Sequence, residues 1–170
     1  MSAAGPACAP SLPLAGKRVL LTGGTGFVGR HVLPRLLEAG ARVTCLTRSG
    51  SFTGGLPQGV ELAQADLATG AGLADALARK DVLIHMAALL FGLGWQDYLR
   101  VNALAARHMA LALTRLRQEG GLGADFRCVL VSSLAAAGPS ATGPGLAEDA
   151  PPAPVSAYGW SKALTEEILG

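Results

Sequence analysis

The chain has 170 residues, of which 50% are hydrophobic and 15% are charged, and its formal net charge is +2. This length is enough for one sizeable hydrophobic core and too short for two ordinary domains. The low charge and the mean hydropathy of +0.38 exclude intrinsic disorder for most of the chain. Lysines and arginines are spread thinly, so the sequence lacks the basic tract typical of proteins that bind nucleic acid or anionic membranes.

Targeting and metal-binding signals are also missing from the sequence. Residues 1–15 are rich in Ala, Pro and Ser and lack the charged and apolar regions of a secretory signal, so we interpret them as a flexible leader. The most apolar window, residues 82–95, is shorter than the roughly 18 residues that a membrane span requires. The 3 cysteines have neither zinc-binding spacing nor the pattern of a disulfide framework. We therefore expect a cytoplasmic protein with no metal site and no membrane or nucleic-acid partner.

Short apolar segments alternate with segments of helical periodicity along the rest of the chain. The segments typical of strands are residues 17–22, 42–47, 60–65, 81–85 and 127–132. The segments typical of helices are residues 26–39, which include Pro34 and should bend there, 73–78, 96–118 and 156–169. Loops are predicted at residues 49–59 and 138–154. Strands that alternate with helices pair in parallel through right-handed crossovers, so we predict a doubly wound, Rossmann-like α/β sheet of five strands with helices on both faces.

A glycine-rich turn follows the first predicted strand. Gly23, Gly26 and Gly29 have the spacing G-x-x-G-x-x-G between that strand and the first helix. Gly23 permits a tight turn, and Gly26 leaves room for a pyrophosphate group at the helix N-terminus, where free N–H groups favour an anion. Gly29 allows the helix to pack closely on the strand. The pattern predicts a dinucleotide site, and an ordinary tight turn is the alternative.

The end of the second predicted strand indicates which dinucleotide binds. An acidic residue there hydrogen-bonds the ribose diol of NAD, but this chain has Thr47, Arg48 and Ser49 at that place. A guanidinium suits the 2′-phosphate of NADP because it can donate two parallel hydrogen bonds. We therefore predict NADP as the cofactor, with NAD as the alternative. A solvated surface arginine would also explain Arg48.

Ser133, Tyr158 and Lys162 are candidates for proton transfer. Ser133 ends the fifth predicted strand, and Tyr158 and Lys162 share one face at the start of the last predicted helix. A tyrosine is a poor base at its ordinary pKa of about 10, and a neighbouring ammonium favours its phenolate form. Ligands of parallel sheets bind beyond the carboxyl ends of the strands, so this set should lie near the glycine loop. The alternative is a half-buried tyrosine beside a solvated lysine.

Together these motifs resemble the extended short-chain dehydrogenase/reductase superfamily, in particular the NAD-dependent epimerase/dehydratase family. Residues 22–29 match the family's T-G-x-x-G-x-x-G fingerprint, and residues 82–88 are similar to its fourth-strand motif. Residues 98–102 are similar to its Tyr-x-x-Val-Asn helix start, and residues 131–133 and 158–162 match its catalytic segments. The Arg48 position resembles the branch of reductases that use NADPH. The resemblance covers residues 17–169 in the family's order.

The resemblance implies roles for individual residues. Ser133, Tyr158 and Lys162 would form the catalytic triad, and Lys162 would also bind the nicotinamide ribose. The implied cofactor-binding residues are Gly23, Thr25, Gly26, Phe27, Val28, Gly29, Arg48, Asp66, Leu67, Met86, Ala87, Ala88, Asn102, Tyr158 and Lys162.

Several residues depart from the family's pattern or have a structural alternative. Ala137 stands where many members have a tyrosine, so one substrate or cofactor contact is in question. Asp66 could instead be a loop or capping acid, and Asn102 could bridge inside its own helix. His85 is expected to be a packed strand residue. Trp95 and Trp160 could line a substrate pocket or pack in the core or a loop. His31 and His108 are expected on helix surfaces.

The resemblance implies an NAD(P)-dependent oxidoreductase that transfers hydride between nicotinamide and a carbonyl or alcohol substrate. A nucleotide-sugar epimerase or dehydratase with the same triad is one alternative, and a non-catalytic dinucleotide-binding sensor or assembly module is another. Family members continue past the Tyr/Lys helix with further strands and a substrate domain. We therefore expect residues 16–170 to be the NAD(P)-binding N-terminal part of a longer enzyme that takes a small-molecule substrate. A homodimer is one assembly open to the full-length protein, and the sequence does not determine the oligomeric state.

Overall fold

The computed structural model describes residues 14–140 and 145–170. Five strands form one parallel sheet in the order β3-β2-β1-β4-β5. The strands are β1 Arg18–Thr22, β2 Arg42–Thr47, β3 Glu61–Gln64, β4 Val82–His85 and β5 Arg127–Leu130. The predicted doubly wound, Rossmann-like sheet is confirmed. Most of the predicted leader, residues 1–13, lies outside the described residues.

The helices lie between and after the strands. They are α1 Gly29–Glu38, α2 Leu73–Leu77, α3 Trp95–Tyr98, α4 Leu104–Gln118, α5 Leu134–Ala137 and α6 Ala157–Leu169, and a π-turn, Leu99–Ala103, joins α3 to α4. Within the part of the chain that the structure describes, no helix is long and apolar enough to cross a membrane.

Two buried clusters cover the two faces of the sheet. Leu20 and Leu83 pack with Met109 of α4 on one face, and Val19 and Leu21 pack with residues of α1 on the other. The side chains of β1 alternate between these clusters because successive residues of a strand point to opposite faces. Helices on both faces explain why the central strands are apolar at residues 19–21 and 82–84.

An ion pair fixes the starts of the two central strands. The Arg18 side chain donates to both carboxylate oxygens of Asp81, at 3.0 and 2.8 Å, and the Arg18 backbone N–H donates to the same group at 2.8 Å. These hydrogen bonds lower the pKa of Asp81 to about 2. The pairing of β1 with β4 runs from Val19 and Val82 to Thr22 and His85. The carboxyl ends of the two strands therefore lie side by side, at the other end of the sheet from this ion pair.

Three of the predicted elements differ from those in the structure. The helix predicted over residues 96–118 is interrupted by the π-turn, and the first helix begins at Gly29 because residues 23–28 form tight turns. The fifth strand ends at Leu130, just beyond which Val131 N–H donates to the last residue of β4, His85. Ser133 therefore does not end a strand: it is the N-cap of α5, a helix that the sequence analysis did not predict.

Candidate active site

The glycine loop packs against the segment that follows β4. Gly23 has a φ of +77°, which favours glycine, and a Cβ there would lie 2.8 Å from the Ala87 nitrogen. A Cβ on Gly29 would clash with the Gly23 carbonyl oxygen. Gly24 lies outside the G-x-x-G-x-x-G pattern, and a Cβ there would lie 2.5 Å from the Cys45 sulfur. The loop therefore depends on glycine for close packing at three positions.

The N-terminus of α1 presents free backbone donors. Val28 caps the helix without a side-chain hydrogen bond, and no acidic residue lies in the first turn. Among the described residues, the amides of Phe27, Val28 and Gly29 have no acceptor. The Phe27 and Val28 side chains are exposed, so neither packs into the core at this helix end. Such a helix end suits a phosphate group.

A cleft of about 560 Å³ lies beyond the carboxyl ends of β2 and β3. Its lining includes Arg48 and Ser49 from the end of β2 and Gln64 and Asp66 from the end of β3. One Asp66 oxygen accepts the Ala68 N–H at 2.8 Å, so this carboxylate also stabilises its own turn. The Leu67 side chain packs on the core. The Leu67 carbonyl oxygen lies 3.1 Å from Nδ1 of His108, so this histidine contacts the segment after β3.

The segment after β4 is held by buried polar side chains. Asn102, in the π-turn, accepts the Leu89 N–H at 2.7 Å and donates to Ser161 of α6 at 2.9 Å. Its amide also donates to the Leu89 carbonyl at 3.3 Å. Asn102 thus bridges a loop and a second helix rather than its own helix, and its assignment as a direct cofactor ligand stays a prediction.

Tyr98 connects this loop to the candidate triad. Its hydroxyl accepts the Gly92 N–H at 3.0 Å and donates to the Leu90 carbonyl at 3.2 Å. The Tyr98 ring lies edge-on to the Tyr158 ring, with 6.0 Å between ring centroids. The loop before Tyr98 exposes Phe91 and Leu93 almost completely. The loop that Tyr98 holds therefore presents apolar side chains at the surface.

Helix α6 carries Tyr158 and Lys162 toward the end of the sheet. Ser156 caps the helix by accepting the Gly159 N–H at 3.0 Å. Lys162 is only 2% exposed, and its ammonium donates to the Val131 carbonyl at 2.9 Å. Burial lowers the pKa of Lys162, and Glu166 on the same helix opposes that shift. The alternative of a solvated lysine is therefore wrong.

Ser133 lies on the segment that α6 packs against. Its hydroxyl accepts the Ala135 N–H at 3.2 Å at the start of α5. Gly159 lies so close to the Ala135 carbonyl that a Cβ would clash, which brings the first turn of α6 against α5. The neighbouring Ser132 hydroxyl is buried and has no hydrogen-bond partner among the described residues. An unpartnered buried hydroxyl is unusual and marks a place where a ligand group can bind.

The residues beyond the carboxyl ends of the strands fit a bound dinucleotide. The free amides at α1 suit the pyrophosphate, the cleft beside Arg48 suits an adenosine end, and the Ser132 hydroxyl and Lys162 lie at the far side. The order of the strands places the crossover reversal between β1 and β4, where such sheets bind ligands. Trp95 and Trp160 are substantially exposed, so neither packs in the core.

Comparisons with known proteins agree with this geometry. The profile of the NAD dependent epimerase/dehydratase family matches residues 19–170. UDP-glucose 4-epimerase of Azospirillum brasilense is 34% identical over 163 residues, which cover 91% of this chain and 44% of that protein. Ceramide reductase of Caulobacter vibrioides is 38% identical over 126 residues, which cover 72% of this chain and 36% of that protein.

Solved structures share the same fold. MoeE5 in complex with UDP-glucuronic acid and NAD is 28% identical and superposes with a TM-score of 0.73, and the match covers 89% of this chain and 48% of MoeE5. This chain spans about half the length, or less, of the relatives that it matches. From the profile match and these relatives, the chain belongs to the NAD-dependent epimerase/dehydratase family.

Proposed function

We propose that this chain provides the cofactor site and the proton-transfer residues of an NADP(H)-dependent reductase or dehydrogenase. The hydrogen bond from the buried Lys162 ammonium to the Val131 carbonyl, at 2.9 Å, is the observation that carries the proposal. It ties the Tyr158 helix to the segment that leads into Ser133. NADP(H), when bound, supplies or accepts the hydride.

Each member of the triad has a distinct part in this proposal. An ammonium has three N–H donors, and one of those on Lys162 is used by Val131. The other two are available to the Tyr158 oxygen and to a ribose hydroxyl. Tyr158 gives its proton to the substrate oxygen in reduction and takes it back in oxidation. Ser133 orients the substrate carbonyl.

Arg48 supports NADP over NAD. It is exposed at the cleft beyond β2, beside the Ser49 hydroxyl, and so can donate to a 2′-phosphate without first breaking an ion pair. The NAD bound in MoeE5 favours the alternative. The difference can be measured directly by titration.

The exposed apolar residues on the loop that Tyr98 holds favour a carbonyl compound with an apolar body as substrate. Phe91 and Leu93 are exposed on that loop, and the Tyr98 ring contacts the Tyr158 ring. The similarity to a ceramide reductase agrees with such a substrate. The similarity to UDP-glucose 4-epimerase supports a second candidate, a nucleotide-sugar epimerase that uses the same triad.

The test is NADPH oxidation with phenanthrenequinone, a small aromatic dicarbonyl, together with NADPH binding. Tyr158→Phe should lower turnover by about 10²–10⁴-fold because general acid catalysis is lost, while NADPH binding stays unchanged. Lys162→Met should lower turnover and weaken binding. Lys80→Met is the matched control, because Lys80 is part-buried and donates to Thr44, far from the triad.

Two results would contradict the proposal. One is a Tyr158→Phe variant that turns over like the wild type, which would remove Tyr158 from proton transfer. The other is bound dinucleotide that never exchanges hydride with any carbonyl or alcohol, which would favour a sensor or assembly module.

A further inference from the structure

Two buried polar side chains face each other across the central strands. Thr22 ends β1 and His85 ends β4, and they are register partners on the same face of the sheet. Both are at most 1% exposed, and 2.7 Å separates the Thr22 hydroxyl oxygen from His85 Nδ1. Neither residue belongs to the proposed triad, so their pairing needs its own explanation.

The other contacts of Thr22 determine the direction of this hydrogen bond. The Thr22 oxygen accepts the Met86 N–H at 3.2 Å and the Ala87 N–H at 3.1 Å. A hydroxyl oxygen has two acceptor sites, and both are then occupied. Its own hydrogen must therefore be donated to His85 Nδ1. That nitrogen carries no proton, and the ring proton is on Nε2.

The surroundings of His85 disfavour a second proton. Burial lowers the pKa of His85 to about 4, and the positive charge of Lys162 acts in the same direction. On α6, Glu166 interacts with Lys162 and partly offsets the cost of burying that ammonium. Lys162 is the only fully buried cationic side chain in residues 14–140 and 145–170. A second cation beside Lys162 would repel its charge and favour the neutral amine, which has no charge to act on Tyr158.

We propose that Thr22 and His85 form a positioning pair, in which Thr22 holds His85 as the neutral Nε2–H tautomer and so leaves Lys162 as the sole buried cation behind the site. His85 is thus a positioning residue and not an acid or a base. The expected effect on turnover rests on the proposed role of Lys162. The tautomer of His85 is inferred from the hydrogen bonds of Thr22 and does not depend on that role.

The first test is ¹⁵N NMR of the protein labelled at histidine, with the His85 signals assigned by a His85→Gln variant. We expect a pattern with unprotonated Nδ1 and protonated Nε2 that persists from about pH 8 to pH 5. A proton on Nδ1, or a charged ring in this range, would overturn the proposal. This measurement needs no substitution at Thr22 and no substrate.

The second test compares three threonine variants. Thr22→Ser keeps the hydroxyl and should keep the His85 pattern, whereas Thr22→Val should give a mixture of tautomers. Thr44→Val is the matched control, since Thr44 is a buried threonine on the neighbouring strand whose hydroxyl is bonded to Lys80 and Glu61. An unchanged His85 pattern in folded Thr22→Val would overturn the proposal.

Turnover provides the functional readout. Thr22→Val should lower NADPH oxidation with phenanthrenequinone about tenfold, as one lost hydrogen bond would, and Thr22→Ser should restore it. If Tyr158→Phe proves fully active while the His85 tautomer is as expected, the triad assignment fails and the positioning pair stands. If the triad variants behave as proposed and the tautomer does not, only the pair fails.

Discussion

Five of the buried polar side chains among the described residues lie near the carboxyl ends of the strands. Thr22, His85, Asn102, Ser161 and Lys162 are all at most 2% exposed. Each has a hydrogen-bond partner, which is necessary because an unpaired buried polar group costs roughly 1–3 kcal/mol. At the scale of single residues, the end of the sheet that carries the candidate site is therefore also the end that tolerates substitution least.

Arg48 differs from these residues because it is exposed and its proposed partner is a ligand. We expect Arg48→Ala to weaken NADPH binding by roughly tenfold or more, the equivalent of a charged hydrogen bond of about 1.5–3 kcal/mol. NADH binding should be unchanged. Titration of both dinucleotides measures this, and Arg42→Ala is the control because Arg42 is exposed at the other end of the same strand. Tighter binding of NADH than NADPH by the wild type would refute the preference.

At the scale of elements, the Asn102 side chain hydrogen-bonds the π-turn to α6. Asn102 links the loop after β4 to Ser161, and Ser161 donates to the Tyr158 carbonyl at 2.7 Å. The position of the Tyr158 helix and that of the loop are thereby coupled. Neither link involves the substrate, so their effect should appear in stability before it appears in chemistry.

This coupling gives a stability prediction. Asn102→Leu should lower the free energy of unfolding by about 1–3 kcal/mol, because Leu89 loses partners for both backbone groups. The Leu89 amide should also exchange its hydrogen faster in this variant, because it has lost its acceptor. Ser161→Ala removes only one of the three hydrogen bonds of Asn102 and should cost less. Equal costs for the two variants would mean that the Leu89 contacts contribute little.

The elements also show what the sequence can and cannot predict. The strands follow from apolar segments such as residues 18–22, because burial on both faces leaves a strong local signal. The break at the π-turn leaves none, since apolar periodicity continues from Leu99 to Leu116. Helix α5 is four residues long and reads as part of a loop. The Thr22–His85 pair depends on contact between residues that are 63 positions apart, which no local pattern contains.

At the scale of the whole molecule, the β5 edge of the sheet exposes apolar side chains. Strand β5 is one edge, and Cys128, Val129 and Val131 are exposed along it. An apolar edge strand with free backbone groups is a template for pairing with another chain. The 170-residue chain should therefore self-associate through β5.

Sedimentation velocity tests this expectation. Val129→Lys should weaken self-association by about tenfold in dissociation constant, since a charge on an edge strand opposes pairing. Phe52→Lys removes an apolar side chain on the loop after β2 that is more exposed than Val129, and it should leave association unchanged. A wild-type chain that sediments as a single monomer at high concentration would contradict the role of the edge.

The π-turn sets how far α3 is rotated relative to α4 about the helix axis. A π-turn contains one residue more than the corresponding α-helical turn, and one residue corresponds to about 100° of rotation about the axis. This offset lets Tyr98 face Tyr158 while Met109 still faces the core. Deletion of one residue from Leu99–Ala103 would rotate the two faces out of register with each other. The number of residues in the π-turn is therefore as restricted as their identity.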